Sequence, residues 1–130
     1  MTDDPVARIG IAVVEHQGRF LVGTRPEGKP LAGSAEFPGG KCRPGENPDS
    51  CAIRECFEET GLEIRAIRLL DHLAWNYSHG PVELNFWLCE IAKPAEPSTP
   101  FRWVSRKDLQ ELRFPEANAR VVAALVSAEN

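Results

Sequence analysis

Residues 40–62 read GKCRPGENPDSCAIRECFEETGL, and the segment Arg54-Glu55-Cys56-Phe57-Glu58-Glu59-Thr60-Gly61 within them decides the fold. Pro48 with Asp49 and Ser50 predicts a helix start, because proline fits a first turn and short polar side chains can satisfy free N–H groups. Gly61 predicts its end, since a glycine just past the last turn can take the left-handed conformation. Between these signals Glu55, Glu58 and Glu59 stand at i, i+3 and i+4, so their carboxylates project from one face. Ala52, Ile53, Cys56, Phe57 and Thr60 fall on the opposite face, which is expected to pack.

Three acids on one helix face repel. Each like-charged i,i+4 pair costs roughly 0.2–0.5 kcal/mol, and more as the carboxylates lose water. Arg54 can relieve Glu58 one turn on, but one guanidinium cannot neutralise three acids. A hard divalent cation can, and Mg²⁺ accepts carboxylates, a backbone carbonyl and waters while leaving positions for phosphate oxygens. A solvated acidic face is the bland alternative, and the spacing and flanks argue against it.

The stretch resembles the Nudix box, G-x5-E-x7-R-E-U-x-E-E-x-G-U with U bulky and apolar, at Gly40, Glu46, Arg54, Glu55, Glu58, Glu59, Gly61 and Leu62. Cys56 replaces the first bulky residue with a smaller apolar one and faces the core. The resemblance implies an α+β Nudix fold, a mixed β-sheet sandwiched between α-helices. It further implies that Glu46 pairs with Arg54 to fix the preceding loop, and that Arg54 in turn positions the catalytic carboxylates.

The 130 residues suit a single domain, residues 1–130, with a core on each side of a sheet. A net charge of −4 argues against a nucleic-acid polymer as partner, which usually demands a basic stripe, but not against a small-molecule nucleotide held by metal and local cations. The apolar run Ile9–Val14 is too short for a membrane span or a signal core. Cys42, Cys51, Cys56 and Cys89 show no CxxC or Cys/His spacing, and are expected as reduced thiols of a cytoplasmic protein. Nothing in the sequence marks one thiol as activated, and the oligomeric state is not encoded in it.

Strands are expected at Ala7–Glu15, Arg19–Gly23, within Leu62–Trp75 (one or two) and at Val82–Ala92, with turns at His16–Gly18 and Asn76–Pro81. Phe86–Cys89 reads as central core. His72 and His79 are lone histidines with no metal assignment. A short strand at Phe101–Val104, a helix at Arg106–Leu112 capped by Ser105, and a terminal helix from Pro115 to about Ser127 complete the chain.

Outside the box, Thr24-Arg25 and Glu36-Phe37-Pro38-Gly39-Gly40-Lys41 resemble MutT-type Nudix enzymes. There the matching arginine contacts substrate, the carbonyl of the first glycine (Gly39) ligates metal, and the aromatic (Phe37) walls the base pocket. The chemistry agrees, since a glycine lets a carbonyl approach closely and an aromatic face suits a purine. Phe114-Pro115-Glu116-Ala117-Asn118 resembles the element whose asparagine reads oxidised guanine, because an amide presents a donor beside an acceptor. Lys29 and Lys41 read as solvated lysines with phosphate contact as the alternative. Glu96, in the proline-rich loop Lys93–Pro100, reads as a loop acid or as one that approaches the metal or the attacking water.

The resemblance therefore implies Mg²⁺-dependent hydrolysis of a nucleoside triphosphate, best 8-oxo-dGTP, to monophosphate and pyrophosphate, with Mn²⁺ as a substitute ion. Gly39, Glu55, Glu58 and Glu59 would hold the metal, and Arg25, Phe37 and Asn118 the substrate. The same chemistry on another nucleotide, a nucleotide-sensing module without turnover, and a plain acidic interaction domain are the rivals, separated by metal-dependent turnover.

Overall fold

The computed structural model describes residues 6–78 and 80–128; His79 lies outside them. Strand β1 (Ala7–His16) turns through Gln17 and Gly18, both at positive φ, into β2 (Arg19–Thr24). A loop leads to β3 (Ala35–Glu36) and β4 (Gly39–Lys41), and helix α1 (Pro48–Thr60) follows. The long hairpin β5 (Ile64–Tyr77) and β6 (Gly80–Ile91) comes next. Strand β7 (Arg102–Ser105), the single-turn helix α2 (Arg106–Leu109), a 3₁₀ turn at Glu116–Asn118 and α3 (Ala119–Ser127) close the chain.

Among the described residues the sheet runs β3-β2-β1-β6-β5, with β4 on β1 and β7 on β2. It is mixed, because β1 pairs parallel with β6 and antiparallel with β2 and β4. Alternation along the strands splits the core into two layers. Val13, Phe20, Val22, Leu84 and Phe86 face one side, where Leu109 of α2 and Val121 and Leu125 of α3 cover them. Ala12, Val14, Leu21 and Cys89 face the other, under Ala52 and Cys56 of α1. This is the α+β sandwich expected from the sequence.

Helix α1 lies so close to β1 that Gly10 has no room for a side chain; a Cβ there would run into the Pro48 carbonyl and stand 2.9 Å from the Cys51 Cβ. The close approach seats the amino-terminal half of α1 over the β1–β4 seam. Gly61 ends the helix at φ 80° as expected, its N–H donating to the Phe57 carbonyl.

Several expectations need correction. The residue before the first turn is Asn47, with extended backbone and no side-chain cap bond, so neither Asp49 nor Ser50 caps α1. Phe57 is 53% exposed rather than packed. The buried stripe is Cys51, Ala52, Cys56 and Thr60, and Phe57 lies about 100° round from Cys56, beyond the sheet's cover. Of the one or two strands expected after α1, residues 64–77 form one, with register shifts between Ala66 and Arg68 and between Leu69 and Asp71. Ser105 does cap α2, accepting from the Asp108 N–H, but the helix ends at Leu109 instead of Leu112. Pro115 opens a 3₁₀ turn, and α3 itself starts at Ala119.

Candidate active site

Arg54 is the hub of the α1 face. Its Nε and Nη2 donate in a fork to Glu46 at 2.8 and 2.9 Å, and Nη2 also reaches the Lys41 carbonyl at 3.2 Å. Nη1 donates to Glu55 at 2.8 Å and to Glu58 at 3.1 Å. Glu46 accepts as well from the Arg43 N–H, and its own carbonyl accepts from Arg8 Nη2 at 2.8 Å. Arg54 and the Arg43 N–H hold the Glu46 carboxyl down at about 2, and the three acids push the Arg54 pKa up. Such a planar fork fixes orientation as well as charge. The residue pair read from the box thus pins the loop of residues 42–47 to the helix and aims one guanidinium at the acids that follow.

Glu55 and Glu59 lie together on the side of α1 that meets β4. Gly40 has no room for a Cβ because the Glu55 carboxylate occupies that space. The Gly39 N–H donates to Glu59 at 3.3 Å. The Ala12 N–H donates to the Pro38 carbonyl and the Cys42 N–H to the Arg8 carbonyl, so strict alternation turns the N–H and C=O of Gly39 away from β1, toward the acids of α1. Burial pushes the Glu59 carboxyl up to about 8, against the Gly39 N–H and reinforced by the neighbouring Glu55 and Glu36.

Glu58 behaves differently. It is half exposed and held by Arg54 and, at 3.7 Å, by Arg43. Among the described residues no three His, Cys, Asp or Glu side chains are arranged as a metal-holding set. Glu55 and Glu59 form a close pair, while Glu58 shares the Arg54 Nη1 with Glu55 and also reaches Arg43.

The donor chemistry nevertheless fits a hard divalent cation. Two carboxylates and a backbone carbonyl are all-oxygen ligands, and Mg²⁺ needs only one or two carboxylates beside waters and phosphate oxygens. Among the described residues no cation pairs with Glu59, and such an ion would supply that charge beside the crowded Glu55/Glu59 pair.

The opposite layer gathers the other candidates. Arg25 is tied back, donating through Nε to the Pro30 carbonyl at 2.8 Å and through Nη1 to Glu36 at 3.1 Å. Phe37 is buried and stacks on Phe114, with ring centroids 4.9 Å apart. The Ala35 N–H donates to the Arg113 carbonyl at 2.8 Å, so the segment carrying Phe114 and Asn118 is docked directly onto β3. Asn118 is half-buried and gives α3 no side-chain cap bond. Its amide is not spent on the helix that it precedes.

Other candidates lie apart. Lys29 and Lys41 are exposed. Glu96 sits in a recess of about 480 Å³ with His16, Gln17, Ile91, Pro94, Ala95 and Trp103, beyond the β1–β2 turn, and none of the box acids lines it. His72 is on the surface, 3.0 Å from Glu83. Sequence reasoning missed Glu36, which joins Arg25 to the surroundings of Glu59, and Phe114, the stacking partner of Phe37. Glu36 was visible in the Glu-Phe-Pro-Gly-Gly run but carried no role there; Phe114 is tied to Phe37 only through the fold.

The NUDIX domain family model matches residues 10–124. The 8-oxo-dGTP diphosphatase of Escherichia coli K12 is 31% identical over 123 residues, covering 91% of this chain and 95% of that protein. A CTP pyrophosphohydrolase of the same organism is 40% identical over only 52 residues, 40% of this chain and 38% of its own length. Among solved structures, MutT from Aliivibrio salmonicida and Vibrio cholerae superposes with a TM-score of 0.70 at 25% identity, covering 95% of this chain and 98% of that one. With the family match spanning nearly the whole described chain and the box acids assembled around Arg54, this protein belongs to the NUDIX domain family and is a Nudix hydrolase.

Proposed function

We propose that the chain, acting as one domain, hydrolyses a nucleoside triphosphate to the monophosphate and pyrophosphate with Mg²⁺, and that its preferred substrate is 8-oxo-dGTP, so that it clears oxidised guanine from the nucleotide pool. The observation that carries the base assignment is the unspent amide of Asn118, presented by a segment that Phe37 and Phe114 lock to β3. A donor and an acceptor side by side can pair with a base edge, and a site built to make those bonds rejects bases that cannot match them.

On the α1 side, Glu55, Glu58, Glu59 and the Gly39 carbonyl would hold the metal. When bound there, such an ion would supply positive charge for the phosphate oxygens and for activating a water. Arg54 keeps Glu55 and Glu58 in place through its fork on Glu46. One of Glu55 and Glu58 takes the proton of the attacking water. Arg25 turns its remaining N–H donors to the substrate phosphates as negative charge develops on them. Phe37 excludes water from the base.

The partial likeness to a CTP pyrophosphohydrolase is confined to 52 residues, which suits a shared phosphate chemistry with the base left open. Steady-state kcat/KM for 8-oxo-dGTP, dGTP, dCTP, CTP and ADP-ribose, with pyrophosphate and phosphate release measured separately, tests the proposal. Pyrophosphate release with strong preference for the oxidised guanine is expected. Preference for another nucleotide would discard the base assignment, and no turnover would leave a nucleotide-sensing module.

A further inference from the structure

Cys42 and Cys51 are separated in sequence by a loop and a helix start, and the fold sets them face to face. Gly40 points at α1, since a Cβ there would meet Glu55. Alternate strand residues share a face, so Cys42, held in the same ladder by its N–H on the Arg8 carbonyl, points at α1 too. Cys51 lies one helical turn before Glu55. Stepping from Gly40 to Cys42 along β4 therefore matches stepping back from Glu55 to Cys51 along α1.

The thiol contacts agree with that register. Cys51 Sγ donates to the Gly40 carbonyl at 3.2 Å, on the face of β4 that Cys42 continues, and Cys42 is near enough to act on the Cys51 thiol. Cys51 is buried, whereas Cys42 is half-buried and open to small reagents. Burial, then the Cys42 thiol, pushes Cys51 up to about 12, so it waits as a thiol. The remaining cysteines, Cys56 and Cys89, are 0% exposed.

We propose that Cys42 and Cys51 form a redox-active dithiol that a hydroperoxide converts into an intramolecular disulfide clamping β4 onto α1. In the first step Cys42 sulfur attacks the peroxide O–O bond, giving a sulfenic acid and releasing water or the alcohol. In the second, Cys51 sulfur displaces the sulfenic hydroxyl, which leaves as water with the Cys51 proton. Two thiols lose two electrons and the peroxide gains them. The bond closes beside Gly39 and Gly40, in the seam that the metal-holding groups share, and a thiol reductant reverses it.

The test is intact-mass analysis of the native full chain after hydrogen peroxide, with remaining thiols alkylated before digestion. The expected result is a loss of about 2 Da, a cross-linked peptide joining Cys42 to Cys51, and recovery on adding dithiothreitol. Cys42→Ser, which changes the more exposed partner, should abolish the link, and Cys89→Ser should leave it intact. Cys51→Ser is a second variant with the same expectation as Cys42→Ser. Oxygen added to Cys42 without a link, a link through Cys56 or Cys89, dimers joined through Cys42, or no change in mass would each overturn the proposal.

Discussion

The two sides of one sheet are built to different rules. On the α1 side an apolar layer carries a face of charged groups tied to one another, with Arg54 bonding Glu46, Glu55, Glu58 and the Lys41 carbonyl. On the α3 side an aromatic stack and a docked backbone carry the packing, while the polar Asn118 side chain caps nothing. The first arrangement suits chemistry that must be the same whatever the base, because phosphate and metal demand fixed charges. The second suits discrimination, since a half-buried amide and an aromatic wall can be altered without disturbing the acids across the sheet.

The comparison breaks most visibly at the acids. Glu59→Gln should lower kcat by at least about a hundredfold with the fold retained, as expected on losing a metal ligand. Thermal stability of the metal-free protein at neutral pH should hold or rise, because the unaltered carboxyl, ionised in the unfolded chain, must take up a proton on folding into the buried place that Glu55 and Glu36 crowd. Glu58→Gln should also cost about a hundredfold, and near-normal turnover would remove Glu58 from the reaction. Arg54→Lys keeps the charge but not the fork, and should cost roughly tenfold or more in kcat with little change in KM. Steady-state rates with thermal melts check all three.

Smaller effects lie on the other face. Phe37→Ala deletes a buried ring and should destabilise the protein by about 3–5 kcal/mol in denaturant titrations. At the edge of α3, Arg120 donates to both oxygens of Asp71 and holds its carboxyl below the usual range. A depressed folded pKa contributes stability that is complete above the unfolded value of about 3.9 and lost as pH falls through the folded value. Asp71→Asn should therefore flatten the acid limb of the Tm profile slightly, and leave it unchanged near neutrality relative to its own plateau.

Legibility in the sequence followed the same division. The box could be read because its residues are local. Helical spacing alone set Glu55, Glu58 and Glu59 on one face, and Gly61 announced the helix end. The Glu46–Arg54 pair was legible for the same reason, bridging only a loop and two helical turns. What stayed hidden depends on contacts distant in sequence. Phe37 meets Phe114 only because β3 receives the backbone at Arg113. Phe57 looked buried by period, yet no strand lies under it. Glu58 pairs with Arg54 as its i+4 spacing allowed, but its second partner, Arg43, was not read from the sequence. Glu96 shared a loop with residues before the Trp103 strand, and the fold carried that loop to the β1–β2 turn instead.

The division of labour between the two faces is tested most directly by one ratio, kcat/KM for 8-oxo-dGTP over kcat/KM for dGTP, in the unaltered protein and in Asn118→Ala. Loss of the amide's bonds should raise KM for the oxidised nucleotide about tenfold or more while dGTP turnover stays nearly constant, so the ratio collapses. Equal losses on both substrates, or a ratio that Asn118→Ala leaves untouched, would contradict the account and move base selection away from the α3 side.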